Sequence, residues 1–177
     1  MASESAGKGV KRPIGSDDLL ENSPPSHFLM IVTDGAAKHS AFDLAKRRLD
    51  QGLWPIYKGT RNRRAMRPGD ILLIYLGGSK GWSQSIVASA TIESIDEGGR
   101  RALPSVDSES AQTDQPFKTL RLRDIEVFRE PLNIRPFVGK LTFLPNSPKW
   151  GAVLVGGCRK MTKEDFLQID QARKRPI

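Results

Sequence analysis

Arg67-Pro68-Gly69-Asp70-Ile71-Leu72-Leu73-Ile74-Tyr75-Leu76-Gly77-Gly78 is the stretch that decides the fold. Its first four residues read as a turn, with Pro and Gly in type II order. The six that follow form an almost continuous apolar run, too short for a helix and closed by two glycines. Such a run predicts a central strand covered on both faces. Upstream, Phe28-Leu29-Met30-Ile31-Val32-Thr33 lies between Pro25 and Gly35 and predicts a second buried strand. Downstream, residues 85–95 alternate through Ile86, Ala88, Ala90 and Ile92, which is a strand pattern. Residues 117–128 repeat it, with Leu120, Leu122, Ile125 and Val127 apolar and Arg121 and Arg123 pointing out. A last short strand is expected over residues 152–155, ended by Gly156-Gly157.

Between these strands the pattern changes. Residues 40–51 read as a helix, with Phe42, Ala45 and Leu49 on one face and Gly52 at its end. Leu53-Trp54-Pro55-Ile56-Tyr57 is Pro-broken and reads as extended. Thr60 is placed to cap a short helix over residues 61–66. Residues 77–81 form a loop with Trp82 at its far edge, residues 96–116 an acidic loop, and Pro131 and Pro136 mark a connector. A final helix starts after Thr162, where Thr162 and Asp165 have capping-box spacing. Clustered strands flanked by helices, without regular strand–helix alternation, indicate an α+β domain with a mixed or antiparallel, barrel-like sheet. A Rossmann fold or a TIM barrel does not fit this order.

Composition bounds the function. The chain has 177 residues, and 28 Lys+Arg against 20 Asp+Glu give a net charge of +8. That length suits one domain: residues 1–26, rich in Ser, Gly, Lys and Pro, are expected to be a flexible N-terminal tail and residues 27–177 the domain. With no apolar run of about 18 residues and no apolar leader segment, neither a membrane helix nor a secretory signal is expected. The expected compartment is the cytoplasm. Cys158 is the one cysteine, so an intramolecular disulfide and a multi-cysteine zinc site are excluded. His27 and His39 lie far from it in sequence, and neither a metal nor a cofactor is expected.

The charge is concentrated. Residues 46–67 hold Lys46, Arg47, Arg48, Lys58, Arg61, Arg63, Arg64 and Arg67 against Asp50 alone, a net +7. Residues 93–116 carry a net −4. Six of the eight basic residues are arginines, whose planar fork suits phosphate. Trp54 and Tyr57 sit inside this stretch. Cations interleaved with aromatics suit an unstacked nucleic-acid base, with guanidinium on phosphate and a π-face on the base. The plainer reading is a solvated face with Trp54, Trp82 and Trp150 in the core. No catalytic set stands out. Cys158 precedes Arg159-Lys160 and could pair with His27 or His39, or be a small side chain at a strand end. Gly77-Gly78-Ser79-Lys80-Gly81 lacks the spacing of a P-loop.

Three segments together resemble the EVE domain, a member of the PUA-like superfamily that also holds the YTH and ASCH domains. The first is Gly52-Leu53-Trp54-Pro55-Ile56, continuing through Thr60-Arg61-Asn62-Arg63-Arg64-Ala65-Met66 into Arg67-Pro68-Gly69-Asp70 and the apolar strand, which Ser85-Ile86-Val87-Ala88-Ser89-Ala90 follows. The second is Leu141-Thr142-Phe143-Leu144-Pro145-Asn146 with Trp150. The third is Gly156-Gly157-Cys158-Arg159-Lys160-Met161 with Asp165-Phe166. The resemblance implies a pseudo-barrel of mostly antiparallel strands with flanking helices, and a pocket for a single flipped base, often a modified one, in DNA or RNA. It implies Trp54 as the cage tryptophan. Thr33, Asp34, Asn62, Tyr75 and Trp82 would complete the base site, and Arg61, Arg63, Arg64, Arg159 and Gly157 would hold phosphates. It further implies a stand-alone reader, or one part of a system whose nuclease or effector is a separate protein. Two alternatives stand beside it: a protein-interaction module with a vestigial pocket, and a nucleotide-modifying enzyme using Cys158 or a carboxylate.

Overall fold

The computed structural model describes residues 23–34, 40–78, 81–97 and 116–174. His39, most of the expected tail and most of the expected acidic loop lie outside these residues.

Six strands form one sheet: β1 (His27–Val32), β2 (Leu53–Ile56), β3 (Ile71–Leu76), β4 (Ser85–Asp96), β5 (Lys118–Asn133) and β6 (Cys158–Met161). Their spatial order is β2-β5-β4-β3-β1-β6. The two continuous apolar runs become neighbours, paired in parallel from His27 opposite Ile71 to Val32 opposite Leu76. The other pairings are antiparallel. Both central strands are covered on both faces. Phe28, Met30, Val32, Leu72, Ile74 and Leu76 enter one core with helix α1 (Ala41–Gln51). Leu29, Ile31, Leu73 and Tyr75 enter a second, with residues 134–154 and helix α2 (Lys163–Arg173). The period of two along each strand makes this division.

Gly52 and Thr162 cap their helices as the sequence predicts, and Ser40, read as the first helical residue, is the N-cap of α1. Ser40 accepts a hydrogen bond from Asp43 N–H, and Gly52 N–H donates to Arg48 and Leu49 carbonyls. Thr162 accepts from Asp165 N–H. The Asp165 carboxylate does not return to the cap. It is wholly buried and accepts the backbone N–H and the hydroxyl of Thr142, tying α2 to the chain that covers the second core.

Three expectations need correction. Residues 61–66 form successive turns and no helix, because Asn62 is left-handed (φ 56°) and its carbonyl accepts Ala65 N–H at 2.9 Å. Residues 150–153 form a 3-10 helix where a strand was expected to begin. The last strand starts instead at Cys158, after Gly156 (φ 85°) and Gly157 (φ 74°) turn the chain to lie beside β1. β5 runs past residue 128 to Asn133 because a bulge between its pairings to Ala88 and Ile86 accommodates Pro131. Just before β1, Ser26 N–H donates to the Asp70 carboxylate and the Ser26 carbonyl accepts from Ile71 N–H.

β2 and β6 are the two edges of the sheet, and residues 57–66 cross from one to the other. Arg61 N–H donates to the Gly156 carbonyl at 2.9 Å, and Ile31 N–H to the Gly157 carbonyl at 2.9 Å. The crossing curls the sheet into a half-barrel.

Candidate functional site

The segments singled out by charge and resemblance meet at one end of the sheet, where the parallel strands β1 and β3 finish. Thr33 and Asp34 leave β1 there, and the Asp34 carboxylate accepts Ala41 N–H at 2.9 Å, at the start of α1. The loop after β3 closes on them. Gly77 N–H donates to the Val32 carbonyl at 2.7 Å. A Cβ added at Gly78 would stand 2.8 Å from Asp34 Oδ2, so only glycine lets the loop approach this closely.

The crossing segment reaches this end of the sheet through Gly156 and Gly157. Thr60 is buried; its hydroxyl accepts Tyr57 N–H at 3.2 Å, and its side chain packs on Gly157. Here the expected helix cap closes a turn instead. Asn62 is exposed at the backbone turn, yet its side chain is hydrogen-bonded to the buried Cys158 thiol. That bond holds a left-handed non-glycine residue beside β6, a position at which Asn is among the more tolerant residues. Arg61 is exposed and its side chain lies across Gly156, where a Cβ would come within 2.9 Å of Nε. Arg61, Asn62, Thr60, Gly156, Gly157 and Cys158 therefore form one contact group. Arg64, Arg67 and Lys58 are exposed on the same segment.

The remaining predicted residues divide. Trp54 is 2% exposed and packs in the first core, with the Arg48 guanidinium over its ring at 5.3 Å. It shares an inward face with Ile56, two positions on. Tyr75 is buried in the second core, on the opposite face of the sheet from Trp54, and burial pushes its phenol pKa up. The structure does not bring these two rings together. Arg63 lies over the Phe117 ring at 5.4 Å, with its buried Nε making no hydrogen bond to the described residues. Arg159 Nε donates to the Val153 carbonyl at 2.6 Å, tying β6 to the 3-10 helix. Trp82 is 54% exposed on the turn before β4. Two of the arginines in the basic stretch thus cover aromatic rings, and Lys46 pairs with Asp50 at 2.6 Å.

Cys158 lacks the surroundings of a nucleophile. It is fully buried, and burial pushes its thiol up to about 12, outweighing the Asn62 hydrogen bond and the Arg159 charge. His27 sits three residues from Cys158's strand partner Met30, its ring stacked on Phe166 at 4.4 Å. No cluster of three or more metal-ligating side chains occurs among the described residues. No described helix is long and apolar enough to cross a membrane.

No family model matches the chain, and no curated protein matches it in sequence. Solved structures do match in fold. Human THYN1, solved with DNA containing 5-methylcytosine, has a TM-score of 0.53 at 14% identity, over 86% of this chain and 99% of that one. The YTH domain of Zygosaccharomyces rouxii MRB1, solved with N6-methyladenosine RNA, has a TM-score of 0.54 at 12% identity, over 86% and 87%. The N-terminal domain of Staphylothermus marinus McrB has a TM-score of 0.55 at 8% identity, over 84% and 95%. With its curled mixed sheet and flanking helices, this chain has the PUA-like pseudo-barrel fold that its EVE-like segments implied.

Proposed function

We propose that the protein is a nucleic-acid-binding module that reads a flipped, modified base at the end of the sheet where β1 and β3 finish. The observation that carries this is the contact group of Arg61, Asn62 and Gly156-Gly157. It holds an exposed guanidinium against Gly156, next to the Gly157 carbonyl that accepts Ile31 N–H near the end of β1. Two proteins of the same fold were solved with methylated DNA and methylated RNA. In this reading Thr33, Asp34 and Asn62 address the base edge, because hydrogen-bonding groups at fixed positions distinguish bases where stacking does not. Arg61, Arg64 and the Gly156-Gly157 backbone hold the flanking phosphates, supported by Arg63 and Arg159.

Labelled DNA and RNA strands, with and without 5-methylcytosine or N6-methyladenine, are titrated against the full chain. Tighter binding to one modified strand supports the reading; equal or absent binding across the panel refutes it.

The cover of Arg48 on Trp54 favours a second reading, a protein-interaction module whose pocket is filled by its own side chains. It predicts no selectivity for any modification and binding to an acidic protein partner through Lys58, Arg61, Arg64 and Arg67. An enzyme built on Cys158 is disfavoured, because a thiol at about 12 holds almost no thiolate at neutral pH.

A further inference from the structure

We propose that Trp82 is a wedge: it enters the stack of a duplex at the place left by the base withdrawn into the site. This rests on the base-reading function above and adds to it a duplex as the substrate.

The first support is exposure. Trp82 is 54% exposed, so more than half of its surface is open to a partner. A large aromatic side chain held in water on a turn tip suits a surface that a partner covers. The second is rigidity at the root of the turn. Gln84 N–H donates to the Leu76 carbonyl at 2.7 Å, and the Gln84 carbonyl accepts Ile134 N–H at 2.9 Å. The Gln84 side chain accepts Arg135 Nε at 2.7 Å, and Gln84 itself is left-handed (φ 60°). A backbone that strained, held by three hydrogen bonds, marks a position fixed by its surroundings. The tip is therefore carried on a firm base, and the exposed Arg135 stands beside it as a cation for the backbone.

The third is placement. Trp82 belongs to the same β3–β4 connection whose Gly77 and Gly78 press on Thr33 and Asp34. In chain order the indole follows Gly78 by four residues. Extruding a base leaves an unstacked gap, and an inserted apolar or aromatic side chain fills it.

The test uses the full chain with Trp82→Ala and Trp82→Phe. The probes are a DNA strand with one 5-methylcytosine and an RNA strand with one N6-methyladenosine, each alone and annealed to its complement. The side chain is exposed, so thermal melting of both variants is expected to match the parent. For whichever modified probe the parent prefers, Trp82→Ala should weaken the annealed form by about tenfold to a hundredfold and the single strand by less than about threefold. Trp82→Phe should keep most duplex binding. A mismatch opposite the modified base should shrink the Ala deficit, because that base is already easier to extrude. Equal losses on single and double strands, or no loss on either, overturn the wedge while leaving modified-base selectivity standing. A parent protein without any selectivity overturns the base-reading function and the wedge with it.

Discussion

Replacing Gly156 by Ala tests how the crossing segment is held. Gly156 has φ 85°, a conformation that costs a residue with a Cβ roughly 1–2 kcal/mol. The new methyl would stand 2.9 Å from Arg61 Nε and 3.0 Å from Arg61 Cδ and Cγ, closer than such atoms pack. Arg61 is exposed and can swing away, so the backbone term dominates the stability change. A loss of about 1–2 kcal/mol in a domain of this size lowers Tm by roughly 2–8 °C. The displaced guanidinium should also leave its phosphate, which lowers the slope of log K against log salt on duplex DNA by about 0.9. Calorimetry reads the first effect and a salt series of binding titrations the second. Combining Gly156→Ala with Arg61→Ala should bind no more weakly than Arg61→Ala alone, because both act through one contact. An unchanged Tm refutes the strained turn, and additive binding losses refute the Arg61–Gly156 coupling.

Other outcomes follow from the same geometry. Asp165→Ala leaves the Thr142 N–H and hydroxyl without their acceptor and should cost about 1–3 kcal/mol, read as a lower urea midpoint. Native Cys158 should react with a thiol reagent only at the rate of unfolding, since burial holds the thiol at about 12; fast labelling of the native protein would contradict that burial. His27 has its pKa lowered by burial, with Asp70 raising it, Lys163 lowering it and Phe166 stacked on the ring. The fold therefore prefers the neutral imidazole: its contribution is present above the unfolded-state value of 6.5 and is lost as pH falls through the lower folded-state value. His27→Gln should flatten the fall of Tm with acid, and an unchanged slope would refute the assignment. Trp54→Ala should cost about 3–5 kcal/mol, because the ring is a core residue, so loss of binding in that variant is no measure of stacking.

The central strands were legible because residues 28–32 and 71–76 are apolar on both faces, and only a strand of that length buries such a run on both sides. β6 was not, because Arg159 and Lys160 interrupt it and its inward residues, Cys158 and Met161, are too few to show a period. Apolar Ala152 and Val153 gave a false strand signal; they form a 3-10 turn that packs beneath Arg159. The turn at residues 61–66 escaped because helix propensity carries no sign of the long-range Asn62–Cys158 bond that fixes Asn62 in the left-handed region. The concentration of charge lies largely on the crossing segment, where Lys58, Arg61, Arg64 and Arg67 are exposed. The burial of Trp54 was half visible, since it alternates with Ile56 on one face of β2. The cover by Arg48 was not, because a helix end and a strand that meet across Gly52 have no spacing rule in sequence.

Backbone amide NMR during a titration with the preferred modified strand tests the central claim most directly. The account predicts shifts concentrated at Thr33, Asp34, Arg61, Asn62, Gly156 and Gly157, larger for the modified strand than for its unmodified twin. Shifts that are identical for the two strands, or confined to the opposite end of the sheet around Ser26 and Asp70, where β1 and β3 begin, would contradict it.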